Sequence, residues 1–278
     1  MGHLIQKSTG EAEPFNIGKL AMSLERAGAA PDIAWKIAES VAREKMMTSK
    51  DIHKATLHAS IRHDRKLAIR YNLKQALMDL GPSGYPFEKY MAALMRASGY
   101  KASNNQIIDG KCVRHEIDIY LEKPEENIVG IAECKFRNQP GSKIDVKVPL
   151  YFDSRFRDVI HTFDKQFGVG KRTYEGWLIT NTKFTGDAIA YGKCAGLHLL
   201  GWTFPTENSI ARLIERHGLI PVTALSSLTF RQKRQLLDRG IVMCTELSNH
   251  IDFLRDIGVG RATVMKIQED IGSLCRHR

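Results

Sequence analysis

The hydrophobic pattern is most informative at residues 128–136, an apolar run that ends in a carboxylate and a lysine. β-Branched and apolar residues lead up to Glu133 and Lys135, which predicts a buried strand. Because side chains alternate across a strand, Glu133 and Lys135 share one face with Val129 and Ile131. An acid and a lysine are costly to bury on such a strand. Either they form an ion pair at a sheet edge, or they take part in chemistry.

The preceding segment, residues 115–121, alternates apolar and polar positions and leads into a turn that begins at Pro124. It predicts a second strand. A hairpin that is symmetric about residues 125–126 sets Asp118 directly opposite Glu133. Opposed Cβ atoms lie about 4.5–5.5 Å apart, and like charges there are destabilising unless something neutralises them. Mg²⁺ prefers carboxylate oxygens together with water and phosphate, so the hairpin predicts a divalent metal site.

Across this hairpin Asp118, Glu133 and Lys135 give the pattern Asp, then Glu-x-Lys. The pattern resembles the core of the PD-(D/E)xK nucleases. The order of the surrounding elements (helix, strand, strand, helix, strand, helix, strand) resembles the Mrr-type restriction endonuclease domain over residues 86–205. The elements outside the hairpin that carry this resemblance are a helix from Phe87 to Ser98, a strand from Gly176, a helix start at Asp187 and a closing strand at residues 194–202.

The resemblance implies an α/β fold in which a restriction-endonuclease-like mixed sheet is flanked by helices. It implies a Mg²⁺-dependent endonuclease that hydrolyses double-stranded DNA in restriction or defence. Asp118, Glu133 and the backbone carbonyl of Cys134 would bind the metal, and Lys135 would be catalytic. Glu88, on the helix that opens the domain, matches an additional acid of the family. Because double-strand cleavage needs two cuts, a homodimer is also expected.

Residues 1–85 show the periodicity of a small α-rich unit that follows a short strand at residues 4–7. Four helices are predicted. The first three start at Asn16, Pro31 and Thr48, and the fourth has its apolar centre at Ile69. A stretch rich in turn residues, 81–86, separates this unit from the nuclease-like segment. Physical reasoning alone gives this unit a basic face and no further function.

Several positions near the N-terminus resemble the opening of the ATP-cone, the nucleotide-binding regulatory module of ribonucleotide reductases and of a repressor of their genes. They are Lys7, Gly10, the Glu-Pro-Phe-Asn run at residues 13–16, and Lys19. The resemblance extends over residues 3–85. It implies that ATP or dATP is an effector of the protein.

The residues that would bind this nucleotide are Lys7, Glu13, Phe15, Lys19 and Thr48. The two lysines would contact phosphates. Ser8 and Thr9 stand where the family usually has Arg-Asp, so an arginine that could bind phosphate with two parallel hydrogen bonds is missing. A cone that keeps its fold without binding nucleotide therefore stays open as an alternative.

Residues 206–278 again predict helices, and two of them flank a Gly-x-Gly tripeptide at Gly258 and Gly260. This segment resembles a helix-hairpin-helix, in which backbone N–H groups at a helix start contact a DNA phosphate. Gly258, Gly260 and Arg261 would then bind DNA. The alternative is a connector between helices that serves packing alone.

The loop that leaves the Glu133 strand, residues 137–143, is basic and punctuated by glycine. It would bring Arg137 and Lys143 to DNA phosphates. Residues 145–150 predict another short strand, and a helix is predicted from about Arg155. The sequence interpretation of Asp153, Asp158 and His161 is that they are solvated helix residues rather than further metal ligands.

The overall composition suits a polyanionic partner, since the net charge is +10 and the pI is about 9.4. No apolar run is long enough for a membrane helix and no secretory signal is evident, so no membrane partner is expected. The five cysteines are scattered and never in CxxC spacing, which favours a reducing cytoplasm. We therefore predict a cytoplasmic protein of three units, residues 1–85, 86–205 and 206–278.

Two alternatives to the nuclease stay open. One is a nucleotide-responsive DNA-binding regulator whose nuclease core is inactive. The other is a subunit of a metabolic enzyme regulated by its cone, which the sequence disfavours because it contains neither a reductase-sized barrel nor a redox cysteine pair.

Overall fold

A β-hairpin and four helices at the N-terminus pack around a core of their own. The computed structural model describes residues 4–7, 10–44 and 47–274, with the backbone alone for residues 273 and 274. The N-terminal elements are β1 (Leu4–Gln6), β2 (Ala12–Pro14), α1 (Ile17–Arg26), α2 (Pro31–Ala42), α3 (Ser49–His63) and α4 (Arg65–Met78). The four predicted helices are confirmed. The sequence interpretation missed β2, whose residues lie between a turn predicted at residues 8–11 and a helix predicted to start at residues 14–16.

The centre of the chain forms a five-stranded sheet with helices on both faces. The elements of this part are α5 (Tyr85–Ala97), β3 (Lys101–Asp109), β4 (Arg114–Lys123), β5 (Ile128–Cys134), β6 (Lys143–Ile144), α6 (Lys147–Phe167), β7 (Thr173–Ile179), β8 (Lys183–Phe184), α7 (Gly186–Cys194) and β9 (His198–Leu200). Strands β6 and β8 form a separate two-stranded sheet. The strand order is β3-β4-β5-β7-β9. Strands β3, β4 and β5 are antiparallel, and β5, β7 and β9 are parallel. The predicted mixed α/β class is confirmed.

The β4–β5 hairpin has the register that its sequence predicts. Ile119 pairs with Ala132, and each further pair keeps the same symmetry about residues 125–126. The pairing ends at Ile119 and Ala132, so Asp118 and Glu133 are the next residues on the two strands. The turn is a short 3₁₀ helix closed by a left-handed residue, which reverses the chain without shifting this register.

Two predictions in this region need correction. Strand β3 was not predicted, because its sequence is polar and most of it is exposed at the sheet edge. The predicted strand at residues 145–150 is wrong, since α6 already begins at Lys147. The Asp145 carboxylate accepts a 3.0 Å hydrogen bond from the backbone N–H of Lys147, one of the N–H groups that the first turn leaves free. Pro149 is tolerated because it lies in the first turn.

The two faces of β5 belong to two different cores. Ala132 and Cys134 pack with α4, α5 and the C-terminal helices, whereas Val129 and Ile131 pack against α6. The C-terminal helices are α8 (Ile210–His217), α9 (Phe230–Asp238), α10 (Ile251–Asp256) and α11 (Arg261–Leu274). They share a core with the sheet, so the unit boundary at residue 205 does not separate two cores. The division into three units stays a prediction.

Across the described ranges, no helix is long and apolar enough to cross a membrane. Four of the five cysteines lie in these ranges and are free thiols: Cys112, Cys134, Cys194 and Cys244. Cys275 lies outside the described residues.

Candidate functional site

Glu133 lies at the centre of the candidate site, near the carboxyl end of the middle strand β5. Its side chain is 6 % exposed, and each carboxylate oxygen has its own cation. Oε1 pairs with Lys135 Nζ, and Oε2 pairs with Nη1 of Arg155 on α6. The Lys135 side chain is 34 % exposed and the Arg155 side chain 15 %. A buried carboxylate is thus held between a more accessible lysine and a more enclosed arginine.

Asp118 reaches the same place from β4. Its Oδ2 accepts a 2.7 Å hydrogen bond from the backbone N–H of Cys134, and its own carbonyl accepts one of 3.2 Å from the Asn104 side chain on β3. Burial, followed by the charge of Glu133, raises the pKa of Asp118 to about 6. The Cys134 thiol packs in the opposite core, and burial raises its pKa well above the ordinary range. The backbone of Cys134, and not its thiol, therefore belongs to the site.

Glu88 faces these residues from α5. Burial raises the pKa of Glu88 to about 7, with further contributions from the charges of Asp118, Glu133 and Glu116, and Lys135 opposes the shift. Among the four residues predicted to be catalytic, Glu133 and Lys135 form an ion pair, and Asp118 accepts a hydrogen bond from the backbone beside Glu133. Glu88 interacts with these three through its charge.

The carboxylates of the site suit a hard divalent cation, but the ion pairs of Glu133 oppose its binding. Burial, and after it the neighbouring carboxylate charges, raises the pKa values of Asp118 and Glu88, and two carboxylates with water suffice for Mg²⁺. Both oxygens of Glu133, however, already bind cationic side chains. Among the described residues, no group of three or more His, Cys, Asp or Glu side chains is arranged as a metal-ligand cluster. We conclude that a metal would be held by two carboxylates and would compete with Arg155 or Lys135 for Glu133.

Arg155 is the site residue that sequence reasoning missed. The sequence interpretation placed it near a helix start and gave it no role. It lies 22 residues beyond Glu133, and no local spacing links the two. The apolar pattern of α6 indicates which side of the helix is buried. It does not indicate that an arginine at the edge of that side reaches a carboxylate on β5.

Asp153 and Asp158 are structural rather than solvated, which corrects the sequence interpretation. Asp153 is buried and accepts hydrogen bonds from Arg157 Nε at 3.0 Å and from the Tyr191 hydroxyl at 2.8 Å. Asp158 interacts with His115 Nε2 at 2.8 Å and accepts from the backbone N–H of Cys112. The bond with His115 is the main reason why the pKa of Asp158 falls to about 2. Both residues fix α6 to its neighbours.

The N-terminal hairpin holds the predicted phosphate-binding lysines around one acid. Glu13 Oε2 lies 2.8 Å from Lys7 Nζ and 3.5 Å from Lys19 Nζ. The bond with Lys7 lowers the pKa of Glu13 and raises the pKa of Lys7. Glu13 therefore neutralises part of the charge that a nucleotide phosphate would meet.

The other predicted nucleotide-binding residues lie beside this hairpin. Phe15 is partly buried against the N-terminal core. The Thr48 hydroxyl caps α3 by accepting a 3.1 Å hydrogen bond from the Asp51 N–H, and the Thr48 backbone forms a β-bridge with Gln6. The structure thus gathers Lys7, Glu13, Lys19, Phe15 and Thr48 at one end of the N-terminal unit. Ser8 and Thr9 lie outside the described residues.

The predicted DNA-binding residues occupy two different places. Arg137 and Lys143 lie in and after the loop that leaves β5, and the backbone of Arg137 is held by the buried amide of Asn181 at 2.8 and 2.9 Å. Lys143 is exposed and pairs in register with Lys183 of β8. The loop is therefore anchored at Arg137, which is half-buried, while Lys143 faces solvent.

Gly258 and Gly260 form the connection between α10 and α11, as the sequence predicts. Gly258 has a φ of 78°, and a Cβ added at either glycine would meet nothing within 4 Å. Arg261 begins α11 and is exposed. The hairpin is open to a partner, and no contact is observed between these three residues and the Glu133 site within the described chain.

Comparisons with known proteins place this chain among proteins whose names give no activity. The family described as AF1548-like, C-terminal matches residues 220–275. An uncharacterized protein of Archaeoglobus fulgidus is 33 % identical over 175 residues, which is 61 % of this chain and 90 % of that protein. The crystal structure of the protein of unknown function AF1548 is 32 % identical, covers 69 % of this chain and 96 % of its own, and superposes with a TM-score of 0.53. The chain belongs to the AF1548-like family.

Proposed function

We propose that this protein is a Mg²⁺-dependent endonuclease that hydrolyses phosphodiester bonds of double-stranded DNA. The observation that carries the proposal is that Asp118 accepts a hydrogen bond from the backbone N–H next to Glu133 on a central hairpin, with Lys135 paired to Glu133. The resemblance of this set to the PD-(D/E)xK nucleases of the Mrr type supports it, as does the strongly basic composition. Restriction or defence in the cytoplasm is the role that this resemblance favours.

The carboxylates of Asp118 and Glu133 and the backbone carbonyl of Cys134 would hold the metal. When bound, Mg²⁺ would polarise the scissile phosphate and lower the pKa of a bound water. The hydrogen bond from the Cys134 N–H fixes the Asp118 carboxylate, so its second oxygen can face a ligand. This contact orients Asp118 before any metal binds.

Lys135 would act on the phosphate, and Arg155 would act on Glu133. Both side chains donate to Glu133, and Lys135 is the more accessible of the two. Its ammonium group would donate to a phosphate oxygen and stabilise the negative charge that grows in the transition state. Glu88, whose pKa is about 7, would accept a proton from the attacking water near neutral pH. Arg155 would keep Glu133 oriented from the opposite side.

The N-terminal unit would bind ATP or dATP as an effector at Lys7, Glu13, Phe15, Lys19 and Thr48. The observation that supports this part is the convergence of both lysines on one carboxylate beside the hairpin. A nucleotide phosphate would replace the Glu13 carboxylate as the partner of these two lysines. A homodimer would supply the second cut that double-strand cleavage needs.

One observation favours a second function, a nucleotide-responsive DNA-binding regulator with an inactive nuclease core. Lys135 and Arg155 saturate both oxygens of Glu133. If these pairs persist in solution, they would exclude the metal. DNA binding would then occur without cleavage.

A plasmid assay separates the two functions. Supercoiled plasmid, unmodified and methylated, is incubated with the protein and Mg²⁺, with and without ATP or dATP, beside Lys135→Ala and an EDTA control. Nicking that requires Mg²⁺ and is lost in Lys135→Ala supports the nuclease. Binding without cleavage of either plasmid contradicts the nuclease and supports the regulator. A nucleotide effect on the nicking rate would link the N-terminal unit to the Glu133 site.

A further inference from the structure

A cleft of about 790 Å³ separates the N-terminal helices from the sheet unit. One wall consists of the end of α1 and the middle of α4. The other consists of β8, the segment around Trp202 and the helix α8. Trp202 is fixed beside β8 because its backbone N–H donates a 3.0 Å hydrogen bond to the carbonyl of Thr182. The cleft is therefore built from two parts of the chain that are distant in sequence.

The charge of this cleft is strongly positive. Its basic residues are Arg26, Arg70, Lys74, Lys183 and Arg212, and its acidic residues are Glu25 and Glu215. Arg212 pairs with Glu215 at 3.0 Å. The other four cationic side chains form no hydrogen bond or ion pair with any residue in the described ranges. Four cations with a single acid between them suit an anionic ligand.

Two of these cations come from opposite walls and repel each other. Although Lys74 as a whole is exposed, partial burial of its ammonium group in the cleft lowers its pKa, and the charge of Lys183 lowers it further. An anion between the two lysines would remove this repulsion. A phosphate provides the oxygens that both ammonium groups could donate to.

The cleft adjoins, through Lys183, the loop that leaves the candidate site. Lys183 on β8 pairs in register with Lys143 on β6, so these two side chains share one face of a parallel pair. Lys143 ends the basic loop that begins at Arg137, two residues after Lys135. The cations are therefore spread along a path and are not gathered around one point. A path of this kind suits the regularly spaced phosphates of a nucleic acid strand better than a single nucleotide.

We propose that this cleft binds the sugar–phosphate backbone of the DNA that reaches the Glu133 site, with Arg70, Lys74 and Lys183 contacting phosphates. The inference rests on the proposed function, because it takes DNA as the partner. It adds a surface that includes the N-terminal unit, so α4 contacts the substrate directly. Neither Arg70 nor Lys74 stands out in the sequence, since helices often carry exposed cations.

The test measures binding of a fluorescein-labelled DNA duplex by fluorescence polarisation in EDTA, over a series of salt concentrations. The variant is the double substitution Arg70→Ala with Lys74→Ala. Its matched control is Lys36→Ala with Lys54→Ala, which removes two exposed cations of the same unit outside the cleft. The cleft variant should bind DNA roughly tenfold to a hundredfold more weakly at about 0.1 M salt, and its salt slope should fall by about 2. The control should change little.

A second variant, Lys183→Ala, guards against misfolding because it alters an exposed residue of a different element. It should weaken DNA binding in the same direction, with its melting temperature unchanged. An equal loss of DNA affinity in the cleft variant and in the control variant would overturn the proposal, because it would indicate a non-specific charge effect. Unchanged DNA affinity would also overturn it. If ATP binding fell instead, the cleft would be a nucleotide site.

The DNA-binding test gives its result whether or not the protein cleaves DNA. If the wild-type protein cuts DNA while the cleft variants bind DNA as the control does, the cleft proposal fails and the nuclease stands. If the cleft variants lose DNA binding while the wild-type protein cuts no DNA, the nuclease fails and the cleft stands as a DNA-binding surface.

Discussion

Arg155 Nη1 on α6 pairs with Glu133 Oε2 on β5, on the face of the sheet that α6 covers. The pair joins the candidate site to the longest helix in the described part of the chain. It also occupies an oxygen that a metal would need. The stability of the metal-free protein and the affinity for metal are therefore expected to depend on the same arginine.

Substitution of Arg155 tests this link. In EDTA, Arg155→Ala should lower the free energy of unfolding by about 1–3 kcal/mol, less than the loss of a fully buried pair, because Lys135 still neutralises Glu133. Mg²⁺ should reduce this difference in unfolding free energy between Arg155→Ala and the wild type, since a bound cation would replace the guanidinium as the partner of Glu133. Urea denaturation with EDTA and with Mg²⁺ measures both effects. Lys165→Ala, an exposed cation on the same helix, is the control. Equal stability of the two variants in EDTA would show that the pair does not support the fold.

Removal of either carboxylate should stop cleavage and leave DNA binding intact. Asp118→Asn and Glu133→Gln remove the negative charges that would hold the metal, and they also reduce repulsion of DNA phosphates. Plasmid nicking should disappear in both variants, while duplex affinity in EDTA should be unchanged or slightly higher. Glu125→Gln, at the exposed hairpin turn, should behave as the wild type does. Normal nicking by both site variants would remove Asp118 and Glu133 from the active site.

Glu88 should make the stability of the metal-free protein depend on pH. Its pKa is about 7 in the folded protein and near 4.5 when unfolded, so the folded state binds the proton more tightly. The protonated carboxyl therefore favours the fold at low pH, and stability is lost as pH rises from about 4.5 through 7. Glu88→Gln should stabilise the protein by about 1–2 kcal/mol at pH 8, after allowance for solvent screening, and have no effect at pH 4.

Urea denaturation at several pH values in EDTA checks this dependence on Glu88, with Glu125→Gln as the matched substitution. Asp118→Asn should also stabilise the metal-free protein as pH rises, but over a lower pH range, because the pKa of Asp118 is raised to about 6. A constant difference between Glu88→Gln and the wild type at all pH values would mean that the Glu88 charge is not destabilising.

The hairpin register shows what the sequence could predict. Alternation along β4, the apolar run of β5 and a proline-led turn between them favour a pairing that is symmetric about residues 125–126, and that pairing is observed. The amphipathic helices and buried strands around the hairpin were predictable for the same reason, whereas the polar edge strand β3 was not. Local pattern therefore fixes where Asp118 and Glu133 meet.

Contacts between distant segments could not be predicted in this way. Arg155 reaches Glu133 because α6 crosses β5 at one particular angle, and a helical pattern does not encode that angle. Strand β3 escaped prediction because a polar edge strand shows no clear alternation. The cleft beside Lys74 arises where two units meet, so neither unit's pattern contains it.

The N-terminal lysines give a test of nucleotide binding. If their charges bind phosphates, Lys7→Ala and Lys19→Ala should each weaken ATP or dATP binding roughly tenfold. Glu13→Gln should leave binding intact or tighten it, since Glu13 pairs with both lysines in the free protein. Isothermal calorimetry measures the affinities, and Lys36→Ala on α2 is the control. No detectable binding by the wild-type protein would favour an N-terminal unit that serves structure alone.

Gly258 and Gly260 test the C-terminal hairpin, because they differ in backbone conformation but not in surroundings. Gly258 has a φ of 78°, which strains an alanine, whereas Gly260 has no such conformation and both have open space for a Cβ. Gly258→Ala should lower the free energy of unfolding by about 1 kcal/mol, and Gly260→Ala should change it by less than about 0.5 kcal/mol.

If the hairpin presents its N–H groups to a phosphate, Gly258→Ala should also weaken duplex binding well below its melting temperature, because it redirects the turn. Gly260→Ala should retain that binding, and Arg261→Ala should reduce the salt slope by about 1. Fluorescence polarisation with the same duplex measures all three variants. If Gly258→Ala and Arg261→Ala bind DNA as the wild type does, the hairpin serves packing, and the DNA contacts lie elsewhere on the protein.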